Sequence, residues 1–486
     1  MTNKKIPPLD LMFFLTETSQ SPKHVGAVQI FKLPARAPKT YMRDLLQALK
    51  DAPVAAPFNQ RPRFPRFGYP EWQVDEHLDI DYHVRHSALP QPGTDEQLLE
   101  VLARLHCGLL SRDRPGWICQ VIEGLEGGRF AIYSKIHHAY IDGMSGVKRM
   151  YATLSSSPKE MQIVPTWSYT AEETTRPKTA KKRTRHSANP ANPALAQVRA
   201  FSELSGVFAK NALEFLAPSK SKAQTMFHAP RTRMNERVEY DTRAIATCSL
   251  PLGKARAIGA ATGGKVNDVV LSVIDAALHD YLEAHGENTN EPLVALCPMS
   301  VRVEGDDTAS TQATALHVRL GEPGAAPQER LRQVIECSTA TKQEARGLSR
   351  EALVDFALVM VGVLELADHT PAGRFLAPSY NVLVSNVPGP AEDVLYLRGA
   401  RQLASYPISA FLPGSNLNVT VLSHGDKLDF GMVADKQALP DLQFVARSME
   451  KCFARLEAEV LGKRKAVPAT SRKSAARKRK ATPKHP

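Results

Sequence analysis

A stretch near the middle divides this chain. Residues 166–193 are polar, basic and interrupted by prolines, with Lys178, Lys181, Lys182, Arg183 and Arg185 clustered among them. Such a segment buries little apolar area and reads as a linker. The chain has 486 residues, and single cores stop growing near ~250–300 residues. The linker falls where two cores would have to part. We therefore expect an N-terminal domain over 1–165 and a linker with a crossover helix over 166–235. The apolar positions of that helix include Leu195, Phe201, Phe208 and Phe215. A second domain over 236–462 and a tail over 463–486 follow.

Both halves alternate helix-like and strand-like patterns. In the first, residues 26–32 read as a strand and 40–52 as an amphipathic helix with Tyr41, Leu45, Leu46 and Leu49 on one face. Residues 95–110 give another helix. Gly127-Gly128 then turns the chain into a strand over 129–136, where Phe130, Ile132, Ser134 and Ile136 share a face. In the second half, strands are expected over 246–252, 293–301, 380–386, 416–422 and 428–434. Helices are expected over 255–282 (broken at Gly263-Gly264), 326–348, 350–366 and 441–461. Mixed elements in both halves predict a two-domain α/β architecture. The longest apolar run, Phe356–Leu364, falls short of the ~20 residues that span a bilayer. It reads either as a buried helix or as a patch that meets lipid.

The net charge of +12 is not a property of the body. Residues 463–486 carry ten basic residues and no acidic ones, which leaves 52 basic against 50 acidic residues elsewhere. The tail is expected to be disordered, and it either touches anionic lipid or nucleic acid or only adds solubility. The near-neutral body has no field that draws nucleic acid, so no nucleic-acid partner is expected. The six cysteines show no CxxC and no Cys/His ligand spacing. This argues against a zinc site or a disulfide framework and suits a reducing cytosol. The N-terminus lacks a signal-peptide core.

The chemistry-bearing run is His137-His138-Ala139-Tyr140-Ile141-Asp142-Gly143. It follows a strand and precedes a helical pattern of Met144, Val147, Tyr151 and Leu154. A strand-to-helix turn presents a side chain into a cleft, and an imidazole accepts and returns a proton at neutral pH. A hydroxyl attacking a thioester needs that base and an oxyanion donor, with no metal and no serine nucleophile. Adjacent residues of a strand face opposite ways, so one histidine at most is the base. If the face of Ile132, Ser134 and Ile136 continues, it is His138, and His137 is a packed core residue. Asp142 either braces the loop from the helix's first turn or shapes the site as an ion pair. A metal site on His137, His138 and Asp142 is disfavoured, because adjacent histidines ligate poorly and there is no HExxH.

The run resembles the HHxxxDG signature of CoA-dependent acyltransferases of the chloramphenicol-acetyltransferase and condensation-domain type. Up to about residue 461 the chain is most similar to the bacterial wax ester synthase/acyl-CoA:diacylglycerol acyltransferases. The matching pieces are Pro8-Leu9-Asp10, His24-Val25-Gly26, Asp81-Tyr82-His83-Val84-Arg85, Ser111 to Trp117, Val266 to Leu271, Pro298 to Arg302 and Ser385-Asn386-Val387-Pro388-Gly389-Pro390. The resemblance implies two chloramphenicol-acetyltransferase-like sandwich domains in tandem, with the active site in a tunnel between them and His138 as general base. It implies acyl-CoA as substrate, no cofactor, and a long-chain alcohol or diacylglycerol as acceptor. With those substrates we expect a cytoplasmic enzyme peripheral to the membrane or to lipid droplets.

The other candidates keep two readings each. Asn267 is a helix N-cap or an oxyanion donor. Arg302 pairs with Asp142 across the domains or faces solvent. Asn386 lies in a turn that shapes the tunnel mouth. Trp117 is core or substrate wall. Gly143 opens the helix beside the substrate. Gly116 stands where the family has Leu, and its missing side chain is expected to loosen packing or alter substrate choice. Asp429-Phe430-Gly431 resembles a structural motif of plant members of the superfamily. Two rival functions remain: a condensation-type acyltransferase using a carrier-bound thioester, and a non-catalytic lipid-binding or lipid-droplet protein.

Overall fold

The computed structural model describes residues 4–169, 226–287, 289–300, 313–347, 349–370, 375–392 and 394–462. Most of the linker, the crossover helix, Arg302 and the basic tail lie outside the described residues.

The N-terminal half contributes strands β1 (Lys4–Lys5), β2 (His24–Lys32), β3 (Gln60–Arg63), β4 (Glu71–Val74), β5 (Val84–Ala88), β6 (Trp117–Leu125) and β7 (Arg129–His137). The C-terminal half contributes β8 (Arg243–Pro251), β9 (Val294–Ser300), β10 (Ala313–Arg319), β11 (Val382–Val387), β12 (Tyr396–Leu397), β13 (Ala400–Ile408), β14 (Leu417–His424) and β15 (Lys427–Asp435). They form a small sheet, β1-β4-β3, and two six-stranded sheets, β12-β13-β2-β7-β6-β5 and β10-β9-β11-β14-β15-β8.

The two halves are therefore not separate beads. Strands β12 and β13 leave the second half and complete the first sheet, with β13 antiparallel to β2 from Arg401↔Lys32 to Ile408↔Gly26. Asp429-Phe430-Gly431 in β15 fastens this crossing. The buried Asp429 accepts from the Ser405 amide of β13 at 2.8 Å and from Ser249 Oγ at 2.6 Å. A Cβ on Gly431 would stand 1.6 Å from the Pro407 carbonyl oxygen, so only glycine lets β13 run this close.

Within the described residues the expected helices are present. Tyr41–Asp51 buries Tyr41, Leu45 and Leu49, the i, i+4, i+8 face its sequence announces. The double glycine ends helix Leu252–Thr262, with Gly263 left-handed at φ +76°, a conformation that glycine adopts without steric cost. The next helix, Val266–Ala284, starts differently from expectation. Asp268 reaches back to the Lys265 amide at 2.8 Å. Asn267 is the second helical residue and not the N-cap. This helix and Gln443–Gly462 cover the second sheet, with Leu271, Ile274, Phe430 and Met449 in the core between them. Each such burial contributes about 1.5–3 kcal/mol.

Helix Arg350–His369 contains the longest apolar run. Its Met360 and Leu364 are buried with Tyr380 and Leu383, and Phe356 and Val361 pack against them. At these four positions the run is interior wall, as the buried-helix reading expects, and not a lipid-facing patch. Among the described residues no helix is long and apolar enough to cross a membrane.

Candidate active site

A cavity of about 360 Å³ lies where the two halves meet. The first half lines it with Val25, Ser134, Ile136, His138, Asp142 and Gly143, and the second with Thr314, Met360, Glu365, Ser385, Asn386 and Thr420. Ser134, Ile136 and His138 continue one face of β7, as the period of two requires.

His138 opens a single 3-10 turn, His138–Tyr140, between β7 and helix Gly143–Ala152. Its amide donates to the Lys23 carbonyl at 2.8 Å, which pins the turn to the segment entering β2. Phe13 covers the ring at 4.4 Å. Burial pulls the His138 pKa below its usual 6.5; Asp142 pulls it back up and Lys23 pushes it further down. The imidazole is therefore neutral at neutral pH and available as a proton acceptor. Among the described residues its Nδ1 is buried without a hydrogen-bond partner.

Asp142 is the N-cap of helix Gly143–Ala152, accepting from the Ser145 amide at 2.8 Å. It braces the loop, and its charge raises the His138 pKa against the pull of burial. Gly143 and Met144 begin the helix at the cavity wall, where the positive end of the helix dipole favours negative charge.

His137 is not on the cavity. It is buried, stacks on Phe14 at 4.1 Å, and accepts from the Ala139 amide at 3.2 Å. Its Nε2 stands 3.5 Å from Glu17. Desolvation, with His138 and Arg112 nearby, holds its pKa down to about 3. Trp117 is likewise core and not substrate wall. Its indole donates to the Phe58 carbonyl at 2.8 Å, and its ring stacks between His83 and Trp167. Gly116 leaves no slack, contrary to expectation. A Cβ there would meet the Tyr140 ring at 2.7 Å and His137 Cβ at 3.1 Å, so the Tyr140 ring already fills the space. Asn386 lines the cavity and donates to Asn267 at 3.4 Å, which puts Asn267 one residue behind the wall. Arg302 lies outside the described residues.

Sequence reasoning missed two features of the site. One is helix Pro8–Thr16, whose Leu9, Met12, Phe13 and Thr16 roof the cavity. Their i, i+3, i+4, i+7 spacing was a usable signal. The other is a buried ion pair, Lys23 Nζ to Glu365 Oε1 at 3.0 Å, that joins the halves at the cavity wall. Lys23 also donates to Ser21 at 2.8 Å. The pairing spans 342 residues of sequence, and no local pattern reveals it.

Two α/β halves closing on a histidine at a strand end make a fold that is shared with condensation domains. The first condensation domain of the calcium-dependent antibiotic synthetase has this fold, with a TM-score of 0.56 at 16% identity over 94% of this chain and 96% of that one. The wax ester synthase/diacylglycerol acyltransferase catalytic domain model matches residues 6–270, and the corresponding C-terminal domain model matches 310–457. A probable diacylglycerol O-acyltransferase, Tgs4, of Mycobacterium tuberculosis is 36% identical over 94% of this chain and 97% of its own length. The wax ester synthase/diacylglycerol acyltransferase of Marinobacter aquaeolei VT8 superposes with a TM-score of 0.74 at 30% identity, over 94% of this chain and 99% of that one. The chain belongs to the wax ester synthase/diacylglycerol acyltransferase family and is an O-acyltransferase.

Proposed function

We propose that this enzyme moves a long-chain acyl group from acyl-CoA to a long-chain alcohol or to diacylglycerol, with His138 as general base. The observation that carries the proposal is a neutral imidazole on the wall of an apolar cavity shared by both halves. His138 takes the proton of the acceptor hydroxyl as its oxygen bonds to the thioester carbon. The carbonyl oxygen gains the negative charge beside the helix start at Gly143 and Met144. Collapse breaks the C–S bond, and the imidazolium returns its proton to the CoA thiolate. The products are an ester and CoA, and the scheme draws on no cofactor. Leu9, Met12, Phe13, Met360 and Val361 give the acyl chains an apolar lining.

Because the acceptor is itself a lipid, we propose that the enzyme works at a phospholipid or lipid-droplet surface. The test of the chemistry is to incubate the protein with palmitoyl-CoA and a panel of acceptors while following thiol release and ester formation. Release of CoA coupled one-to-one to ester is expected with hexadecanol or dioleoylglycerol. Hydrolysis without ester would remove the transferase reading.

A further inference from the structure

Helix Pro8–Thr16 has two working faces. One roofs the cavity. On the other, Phe14 meets Phe64 at 5.8 Å and Trp72 at 5.9 Å, both from the β3–β4 hairpin. The Ile6 amide donates to the Pro70 carbonyl at 3.0 Å, and β1 pairs with β4. Hairpin and roof helix are thus packed together.

The hairpin tip is unusually apolar for its exposure. Phe67 is 86% exposed, Phe64 41% and Tyr69 40%, and the neighbouring Leu15 of the roof helix is 65% exposed. Cations interleave them. Arg66 lies 5.8 Å from the Phe67 ring, Lys5 5.8 Å from the Tyr69 ring, and Arg112 5.9 Å from the Phe64 ring. Residues 60–74 hold three arginines and one carboxylate, Glu71, which Arg63 binds at 2.7 Å. Glu71 and Glu17, the latter 3.3 Å from Arg112, balance two of these cations, which leaves Arg66 and Lys5 as the positive groups set among the rings of the tip.

Exposed aromatics among cations fit neither a soluble small molecule nor an apolar protein core. They fit an anionic bilayer surface, where rings enter the headgroup boundary and guanidinium and ammonium groups meet phosphate. We propose that the β3–β4 hairpin tip, with Leu15 and Lys5, is the membrane-seating surface of this enzyme, and that it sets the roof helix of the cavity against an anionic phospholipid bilayer. The proposal deepens the lipid-surface reading given above.

The experiment is co-flotation of the full chain with vesicles of phosphatidylcholine and phosphatidylglycerol at about 3:1. The triple variant F64S/F67S/Y69S and the charge variant K5E/R66E are compared with protein truncated after residue 462. All four proteins are also assayed with palmitoyl-CoA and a water-soluble short-chain alcohol. Wild-type and truncated proteins are expected to float. The triple variant should partition at least ~10-fold more weakly, and the charge variant should lose its preference for anionic over neutral vesicles. Unaltered melting temperatures and unaltered turnover of the soluble alcohol show that the variants are folded and competent. Flotation of the triple variant equal to wild type, or loss of binding only on truncation, overturns the proposal. Loss of soluble-alcohol turnover in every protein overturns the catalytic reading instead and leaves the surface assignment standing.

Discussion

The two walls of the cavity are built differently. The N-terminal wall carries the titratable groups: His138, Asp142 and Lys23. The C-terminal wall presents hydroxyls and amides, among them Thr314, Ser385, Asn386, Ser409, Asn418 and Thr420, and its carboxylate Glu365 is engaged by Lys23. Thr420 donates to Asn418 at 2.8 Å, and Asn418 donates to the Ala410 carbonyl at 2.7 Å. On the proposed mechanism one half supplies proton transfer, and the other supplies a polar surface made mainly of hydroxyls and amides. The contrast teaches why both halves are needed. Burial lowers the His138 pKa below its usual value, and a single sheet edge cannot exclude water from its own terminus.

Substitutions on either side sharpen or break this division. The largest effect is expected at His138, where His138→Ala lowers kcat by roughly 10²–10⁴-fold with an unchanged melting temperature. Next comes the joint between the walls. Lys23→Met removes the ammonium that faces the buried Glu365 carboxylate at 3.0 Å, and breaking a buried pair costs about 3–5 kcal/mol in denaturant titration. The double change Lys23→Met with Glu365→Leu should recover most of it. If the single and double variants melt alike, the ion pair does not join the halves. Gly116→Leu forces a side chain into the Tyr140 ring and should destabilise by ~1–3 kcal/mol, seen as a lower melting temperature. The smallest kinetic effect is expected at His137, where His137→Ala should lower kcat less than ~10-fold, because it acts only through packing. A loss at His137 equal to that at His138 would place the chemistry on the wrong face of β7.

Much of this was legible in the sequence. Local periodicity located β7 and the helix Tyr41–Asp51, and the alternation along β7 put His138 and not His137 on the working face. HHxxxDG with its companion pieces gave the fold and the family. What local patterns do not encode was missed. Strand β13 reads as an ordinary segment of the second half, and only its pairing with β2 shows that it belongs to the first sheet. Gly116 suggested a void because a sequence does not show that the Tyr140 ring occupies it. Trp117 drew attention as the end of the family-matching segment Ser111 to Trp117, yet its hydrogen bond to Phe58 lies inside the core.

The central claim is that a buried, neutral imidazole at position 138 accepts the acceptor's proton. The pH profile of kcat/KM for wild type beside His138→Ala addresses it most directly. Below its pKa the ring is protonated and cannot act as a base, and burial sets that pKa under 6.5. His137, held to about 3, stays neutral throughout the working range. Wild type should therefore show a plateau through neutral pH and one acid limb with its inflection below 6.5, and the residual activity of the variant should lack that limb. An identical limb in both proteins, or an inflection above 6.5, contradicts the account.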